Sequence, residues 1–384
     1  MRILVPKASL ARTQDSTRGS IFYNPIMEFS RDISVLALEC YRKETPRRLT
    51  VLDAMAGCGV RGVRYAIEVE GRAKVLLNDI RREASSLARR NVERNSLEDR
   101  AEVACMDANL ALALHSAPHS RFDVVDLDPF GSPAPFLDSA VRASSNNALI
   151  MITATDVAPL CGIRPRAALR KYGGRPLRTE YCHEIGTRLL LASLASAAAR
   201  HDLGIDVRLS HSTDHYVRVY ATIPYGSIHA SRTLAKLGYI LHCFHCTYRE
   251  SSYGLPITEM RCKVCNHRYA IAGPLWLGNL YDKGFSRQML HLTETKRLGK
   301  KNRVIRLLER ILNEIDSLPT YYRIDRLSDR YGTPSPKPRS VVEEIRKLGY
   351  LASLTHFHGN GIRTDAGPKI LKQVLKGLSQ KACT

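Results

Sequence analysis

"LTVLDAMAGCGVRGVR", residues 49–64, runs a short apolar stretch into an acid and then across three glycines. An apolar run of this length bounded by glycines reads as a buried strand that turns sharply into a helix. The same grammar repeats on the C-terminal side. KVLLND (74–79), AEVACM (101–106), FDVVDLD (122–128) and ALIMITAT (148–155) are further candidate strands, and stretches such as RREASSLARRNVERN (81–95) between them carry helical spacing. Strands alternating with helices imply parallel pairing through right-handed crossovers, hence an α/β fold with an open, doubly wound sheet. After a long helical stretch (180–200), GIDVRLSHS (204–212) and DHYVRVYATIP (214–224) are separated by a short polar turn. They predict a hairpin that brings the mostly parallel sheet to seven strands and ends the first domain near residue 222.

Ligands of such sheets bind beyond the carboxyl ends of the strands, so the residues there carry the functional information. The first strand ends at Asp53 and is followed by Gly57, Gly59 and Gly62. Glycines there let backbone approach a ligand and open a helix whose N-terminal N–H groups can bind it. The signal is generic, because turns of this kind also serve NAD, FAD and plain packing. The second strand ends at Asn78-Asp79, where an acid can accept hydrogen bonds from ribose hydroxyls. The third ends at Met106-Asp107-Ala108, with an acid placed to meet an adenine amino group. Each acid alone also fits a solvated helix cap. Three at consecutive strand ends argue for one shared ligand.

The fourth strand ends in Asp128-Pro129-Phe130, which resembles the (D/N)-P-P-(Y/F/W) signature of methyltransferases acting on exocyclic amino groups of bases. An aryl amine has its lone pair delocalised into the ring, so a site must orient it with acceptors and favour the charge that develops on nitrogen. Asp128 and the Pro129 carbonyl supply acceptors, proline stiffens the turn, and Phe130 offers a face for stacking worth about 1–3 kcal/mol. Asp126, one alternation back along the strand, reads as structural.

Composition sets the remaining bounds. The 384 residues suffice for about two domains, and 44% apolar with 25% charged residues is ordinary for a globular protein. No apolar run approaches a membrane span and the first residues lack a signal-peptide pattern, so a cytoplasmic protein without membrane attachment is expected. Net charge is +21, unevenly spread: residues 1–222 hold 31 Lys and Arg against 25 acids, whereas residues 223–384 hold 27 against 12. A basic second half beside a near-balanced first half suggests a polyanionic partner, most often nucleic acid. Within it, Cys243-Phe-His-Cys246 and Cys262-Lys-Val-Cys265 form two C-x2-C pairs fifteen residues apart, the spacing of a closed four-thiolate structural zinc site. His242, His245 and His267 flank it as substitute ligands. Six further cysteines are scattered, and most read as small buried hydrophobes.

The chain resembles the tRNA guanine-26 N2-dimethyltransferase family of archaeal type, S-adenosylmethionine-dependent class I methyltransferases with a C-terminal RNA-binding domain. The resemblance spans nearly the whole length. It rests on Phe22-Tyr23-Asn24-Pro25 with Arg31-Asp32, on Asp53 to Arg64, on LNDI (77–80), DLDPFGSP (126–133), TATDVAPLCG (153–162) and KYGGRPLRTEYCHE (171–184), and on the zinc pairs. It implies that Phe22, Arg31, Arg61, Asp79, Asp107 and Ala108 contact S-adenosylmethionine, alongside Asp53, Gly57 and Gly59 of the glycine turn. It further implies that Asp128, Pro129 and Phe130 act on a guanine of tRNA, which receives two methyls in succession. A methyltransferase for another guanine or for adenine N6, and a non-catalytic zinc-ribbon RNA-binding protein, are the alternatives. Residues 164–178, read as a loop with five arginines and Lys171, and the basic stretch LTETKRLGKKNRVIRLLER (292–310) are expected to meet RNA phosphates. A domain boundary near 222 leaves a basic α+β domain over 223–384, with a winged-helix-like tail after Tyr321. No obligate protein partner is implied, and a monomer is expected.

Overall fold

The computed structural model describes residues 1–6, 21, 23–71, 73–254, 261–315 and 318–381. The first helix, α1 (Glu28–Glu44), is buried from Phe29 to Tyr41. Then β1 (Thr50–Asp53), α2 (Val60–Glu68), β2 (Lys74–Asn78), α3 (Arg82–Arg94), β3 (Ala101–Ala104), α4 (Ala108–Leu114) and β4 (Phe122–Leu127) alternate as the apolar runs require. α5 (Leu137–Arg142) leads into β5 (Ser144–Ala154), followed by α6 (Val157–Leu160), α7 (Pro165–Tyr172) and α8 (Cys182–Ala199). β6 (Asp206–Thr213) and β7 (Tyr216–Ile223) form the expected hairpin.

These strands make a seven-stranded sheet in the order β3-β2-β1-β4-β5-β7-β6. The first five pair in parallel, and β7 runs antiparallel to both β5 and β6. The chain leaves β1 in one direction and reaches β4 on its other side, so strand order reverses between these two. That switch point sets Asp53 opposite Asp126 in register and opens a crevice above them. All six residues of β4 are buried, as a central strand covered on both faces requires.

One expectation needs correction. Residues 164–178 are not a continuous loop, because α7 occupies Pro165–Tyr172. Pro165 stands at the first turn, where its missing N–H costs nothing, and Gly173 ends the helix with φ of 73°. Ala168 and Tyr172, one turn apart, are its buried face.

The second half begins with α9 (Ser227–Leu234). β8 (Leu237–His242), β9 (Arg249–Tyr253) and β10 (Ala270–Trp276) form an antiparallel sheet in the order β10-β8-β9. α10 (Lys283–Leu292) and α11 (Lys301–Asn313) follow. The tail comprises β11 (Tyr322–Arg323), α12 (Ile324–Tyr331), α13 (Pro338–Lys347), β12 (Ala352–Leu354), β13 (Gly361–Thr364) and α14 (Pro368–Lys381), with strand order β11-β13-β12 and its own small core around Ile324, Ile345 and Ile362. The main core does not stop at residue 222. Trp276, Phe285, Met289 and Leu308 are buried in the same cluster as Leu36, Val125 and Leu190. The basic 292–310 stretch is partly consumed by this packing. Lys296 donates to the Glu68 carbonyl at 2.7 Å, and Arg303 pairs with Asp214 at 2.7 Å and lies over the Phe29 ring, while Arg297, Lys300, Arg306 and Arg310 are exposed. No helix among the described residues is long and apolar enough to cross a membrane.

Candidate active site and metal centre

The carboxyl ends of β1 to β4 open on a cavity of about 450 Å³. Its walls include Arg31, Asp53, Gly57, Arg61, Asp79, Asp107, Ala108 and the run Asp128 to Phe130, drawn from every strand end singled out in the sequence. Phe22 lies outside the described residues, while Ile21 and Tyr23 on either side of it line the cavity. A larger, more open depression of about 1090 Å³ lies elsewhere, around Arg47, Asn146, Asp206 and Trp276 at the start of β5. It gathers none of the strand-end groups, so its size does not make it the site.

Local folding fixes each wall. Gly57 and Gly59 have φ of 56° and 80°, which side chains disfavour. A Cβ on Gly59 would also sit 3.0 Å from Leu77 and Ala88, so the turn is both left-handed and tight against β2 and α3. Asp79 holds the turn by accepting the Gly57 N–H at 2.8 Å and the Arg81 N–H at 2.9 Å. Asp107 caps α4, accepting from Asn109 N–H at 2.8 Å. Asn78, which sequence reasoning passed over, ties three strand ends together. Its Nδ2 donates to the Ala54 and Met106 carbonyls, both at 3.1 Å, while its Oδ1 accepts from Met106 N–H at 3.2 Å. Asp53 is 1% exposed and accepts the Gly62 N–H at 3.0 Å. Burial, and then the neighbouring Asp126 charge, push its carboxyl up to about 8.

Asp128 sits at the lip of this cavity with Arg61 Nη2 2.6 Å from its Oδ2. Burial opposes its charge, but Arg61 and then Arg218 outweigh that and hold the Asp128 carboxyl below the usual carboxylate range. The following loop is clamped to the end of β5: Gly131 N–H donates to Thr155 Oγ1 at 2.7 Å and Thr155 N–H returns to the Gly131 carbonyl at 2.9 Å. Pro129 is buried beneath, and Phe130 presents its ring outward at 58% exposure. Ser132 donates to Tyr172 Oη at 2.8 Å and Tyr172 to Asp156 at 2.5 Å, which docks α7 against the same loop. Arg164, Arg166, Arg170, Arg175 and Arg178, on and around α7, are all exposed.

A buried ionic hub beneath Asp128 escaped the sequence reading. Asp126 accepts from Arg218 at 2.7 Å and from Tyr65 at 2.5 Å, and Arg61 Nε lies 3.6 Å away. Ser34 accepts from Arg61 at 2.9 Å and from Arg218 at 3.1 Å. Arg61 therefore spans Asp126 and Asp128, rather than only facing the cavity. The signal was an arginine inside the apolar strand YVRVYA (216–221), which must be paired if buried. Arg31, 6% exposed, donates to the Asn24 carbonyl at 3.1 Å and lies under the Tyr23 ring, and burial lowers its pKa.

A family profile described as TRM, N2,N2-dimethylguanosine tRNA methyltransferase, matches residues 1–376. The chain belongs to that family. It is 41% identical over 365 residues to the tRNA (guanine(26)-N(2))-dimethyltransferase of Methanobrevibacter smithii, covering 95% of this chain and 93% of that protein. The counterpart in Methanothermobacter thermautotrophicus is 40% identical, with 94% of each covered. Among solved structures, Trm1 from Pyrococcus horikoshii in complex with S-adenosyl-L-methionine superposes with a TM-score of 0.85 at 36% identity, covering 97% of both chains. The family's fold thus extends over the basic second half as well as the sheet.

In that half the four cysteines converge. Their sulfurs lie within 4.8 Å of one another, with Cys243 and Cys265 at 3.4 Å and Cys246 and Cys262 at 3.5 Å. Four thiolates about 2.3 Å from a tetrahedral zinc stand roughly 3.8 Å apart, so the donor set fits that ion. Both knuckles fold alike. Thr247 N–H donates to the Cys243 carbonyl and Asn266 N–H to the Cys262 carbonyl, each at 2.8 Å, with Thr247 and Asn266 at φ of 64° and 61°. His242 instead bonds to Tyr181 at 3.0 Å, and His245 and His267 stack on each other 3.6 Å apart.

Proposed function

We propose that the protein transfers two methyl groups in succession from S-adenosylmethionine to the exocyclic N2 of the guanosine at position 26 of tRNA. The observation that carries this reading is the clamped Asp128-Pro129-Phe130 turn opening on the same cavity as the ends of β1, β2 and β3. Bound there, the cofactor supplies an electrophilic methyl on its sulfonium. Asp79 takes the ribose hydroxyls, Asp107 and Ala108 the adenine edge, and Arg31 the methionine carboxylate, for which a guanidinium fork is suited, while Arg61, its fork held by Ser34 and Asp128, meets the cofactor as part of the cavity wall. Gly57 lets backbone close on the ligand, whereas Gly59, expected beside it, stands outside the cavity wall and keeps the turn tight against β2 and α3, and Asp53 holds the turn from below. Asp128, ionised by its arginine neighbours, accepts from the guanine amine together with the Pro129 carbonyl. This aligns the nitrogen lone pair and favours the positive charge that develops as the N–C bond forms and the sulfonium S–C bond breaks, with S-adenosylhomocysteine leaving and the amine proton passing to the Asp128 carboxylate it faces and on to solvent. Phe130 stacks on the base. The first product must turn or rebind before the second transfer.

The boundary near residue 222 marks a change of task rather than a gap in packing, with residues 223–384 as the tRNA-binding part and zinc fixing its knuckles. The work is cytoplasmic and needs no protein partner. Nucleoside mass spectrometry of an unmodified tRNA transcript incubated with the protein and cofactor is expected to show N2,N2-dimethylguanosine, mapped to position 26. Methyladenosine, or no methylated base, would sink the reading. In this reading Arg166 and Arg170, exposed on α7, meet tRNA phosphates. Replacing both by Ala is expected to weaken tRNA binding and to flatten the plot of log affinity against log salt by about two units. An unchanged slope would take α7 out of the interface.

A further inference from the structure

A second set of soft donors converges away from both the strand-end cavity and the four-cysteine centre. Cys161 follows α6, and Cys182 and His183 open α8. Their two sulfurs and the ring Nδ1 all lie within 4.8 Å of one another. Among the described residues this cluster is the one that shares no member with the zinc knuckles. Cys161 is 4% exposed, and Cys182 and His183 are half-buried.

The spacing is informative. Cys161 Sγ lies 3.6 Å and Ser212 Oγ, on β6, 3.4 Å from His183 Nδ1. The oxygen contact is long beside the roughly 2.9 Å of an ordinary hydrogen bond to nitrogen. Both separations match the edges of a tetrahedron around zinc: bonds of about 2.3 Å to sulfur and 2.0–2.1 Å to nitrogen or oxygen give edges of about 3.6 Å and 3.4 Å. We propose that Cys161, Cys182 and His183 form a second metal site, with Ser212 Oγ or a water as fourth ligand. Two thiolates and an imidazole favour zinc or a similarly soft ion over magnesium or calcium. No step of methyl transfer calls on these three residues, and the site is independent of the reaction assigned above.

Its place in the chain gives it a purpose. The ligands bracket residues 161–182, the segment that carries α7 and the five exposed arginines. The two ends of that segment already touch, since a Cβ on Gly162 would come within 2.8 Å of the backbone of Leu177 and Arg178. An ion at this neck closes the segment as a loop and fixes where α7 emerges.

The test uses the full chain equilibrated with zinc and freed of excess. Two zinc ions per chain are expected by elemental mass spectrometry, falling to one in His183→Gln and in Cys161→Ser while the four-cysteine centre stays loaded. Crystals of the unaltered protein measured at the zinc edge give a readout that needs no variant. They are expected to show a second anomalous peak among the Cys161, Cys182 and His183 donors. One zinc per chain with a single peak at the four-cysteine centre, or a disulfide joining Cys161 to Cys182, would overturn the proposal.

Discussion

Replacing Asp128 by Ala is expected to slow methyl transfer by about 10²–10³-fold while the protein stays folded and still binds cofactor. Orientation and electrostatics supply most of the catalysis in this reading, and Asp128 carries the one ionised acceptor at the amine. Loss of a single preorganised group of this kind costs on the order of 10²–10³ in turnover. The fold should survive, because Arg61 keeps Ser34 as acceptor at 2.9 Å and Asp126 at 3.6 Å when its 2.6 Å partner is removed. Asp128→Asn is the sharper comparison: it preserves shape and one acceptor but removes the charge that Arg61 and Arg218 stabilise. It should turn over faster than the Ala variant and far more slowly than the unaltered enzyme. Cofactor affinity by calorimetry and single-turnover rates separate the two contributions. An Ala variant with turnover within about threefold of the unaltered enzyme would remove Asp128 from the mechanism.

The strand ends were legible because they depend on local pattern. Apolar runs ending in an acid mark β1, β2 and β4 without knowledge of their neighbours, and the cysteine spacing fixes the knuckles in the same way. What escaped depends on distant pairing. Asp126 meets Arg218, 92 positions on, and Tyr65, 61 positions back, and no window along the chain joins them. The Arg61 role changed for the same reason, since its partner Asp128 is 67 positions away. α7 was hidden differently. Its signals, Pro165 at the start and Gly173 at the end, are present, but the arginines favour the reading of a phosphate-binding loop. In the basic 292–310 stretch, charge composition alone does not tell an exposed cation such as Arg306 from one that pairs with Asp214, as Arg303 does.

Replacing Arg363 by Ala is expected to destabilise the protein by about 3–5 kcal/mol, the usual cost of stripping one partner from a buried ionic group. Arg363 on β13 is 1% exposed and joins parts of the chain that charge counting treats separately. It pairs with Glu184 of α8 at 2.9 Å, with Glu314 after α11, and donates to the Thr320 carbonyl at 3.0 Å. Glu184 also holds Arg188 at 2.8 Å, and Glu314 accepts from Thr355 at 2.6 Å and from His356. Without Arg363 both carboxylates stay buried and lose their main counter-charge. The pH dependence gives this a signature of its own. Burial would raise the Glu314 carboxyl, but Arg363 and then His356 outweigh it and bring it down to about 2. A carboxylate depressed on folding contributes stability that is complete above its ordinary pKa and fades as pH falls toward the folded value. With a shift of about two units, that contribution is on the order of 3 kcal/mol at neutral pH. The unaltered protein should therefore lose stability between about pH 4.5 and 2, whereas Arg363→Ala, already weakened at pH 7, should lose less over the same window. Denaturant unfolding at pH 7 and pH 3 measures both. Equal midpoints for the two proteins at pH 7 would show that the tail is not anchored to α8 through this arginine.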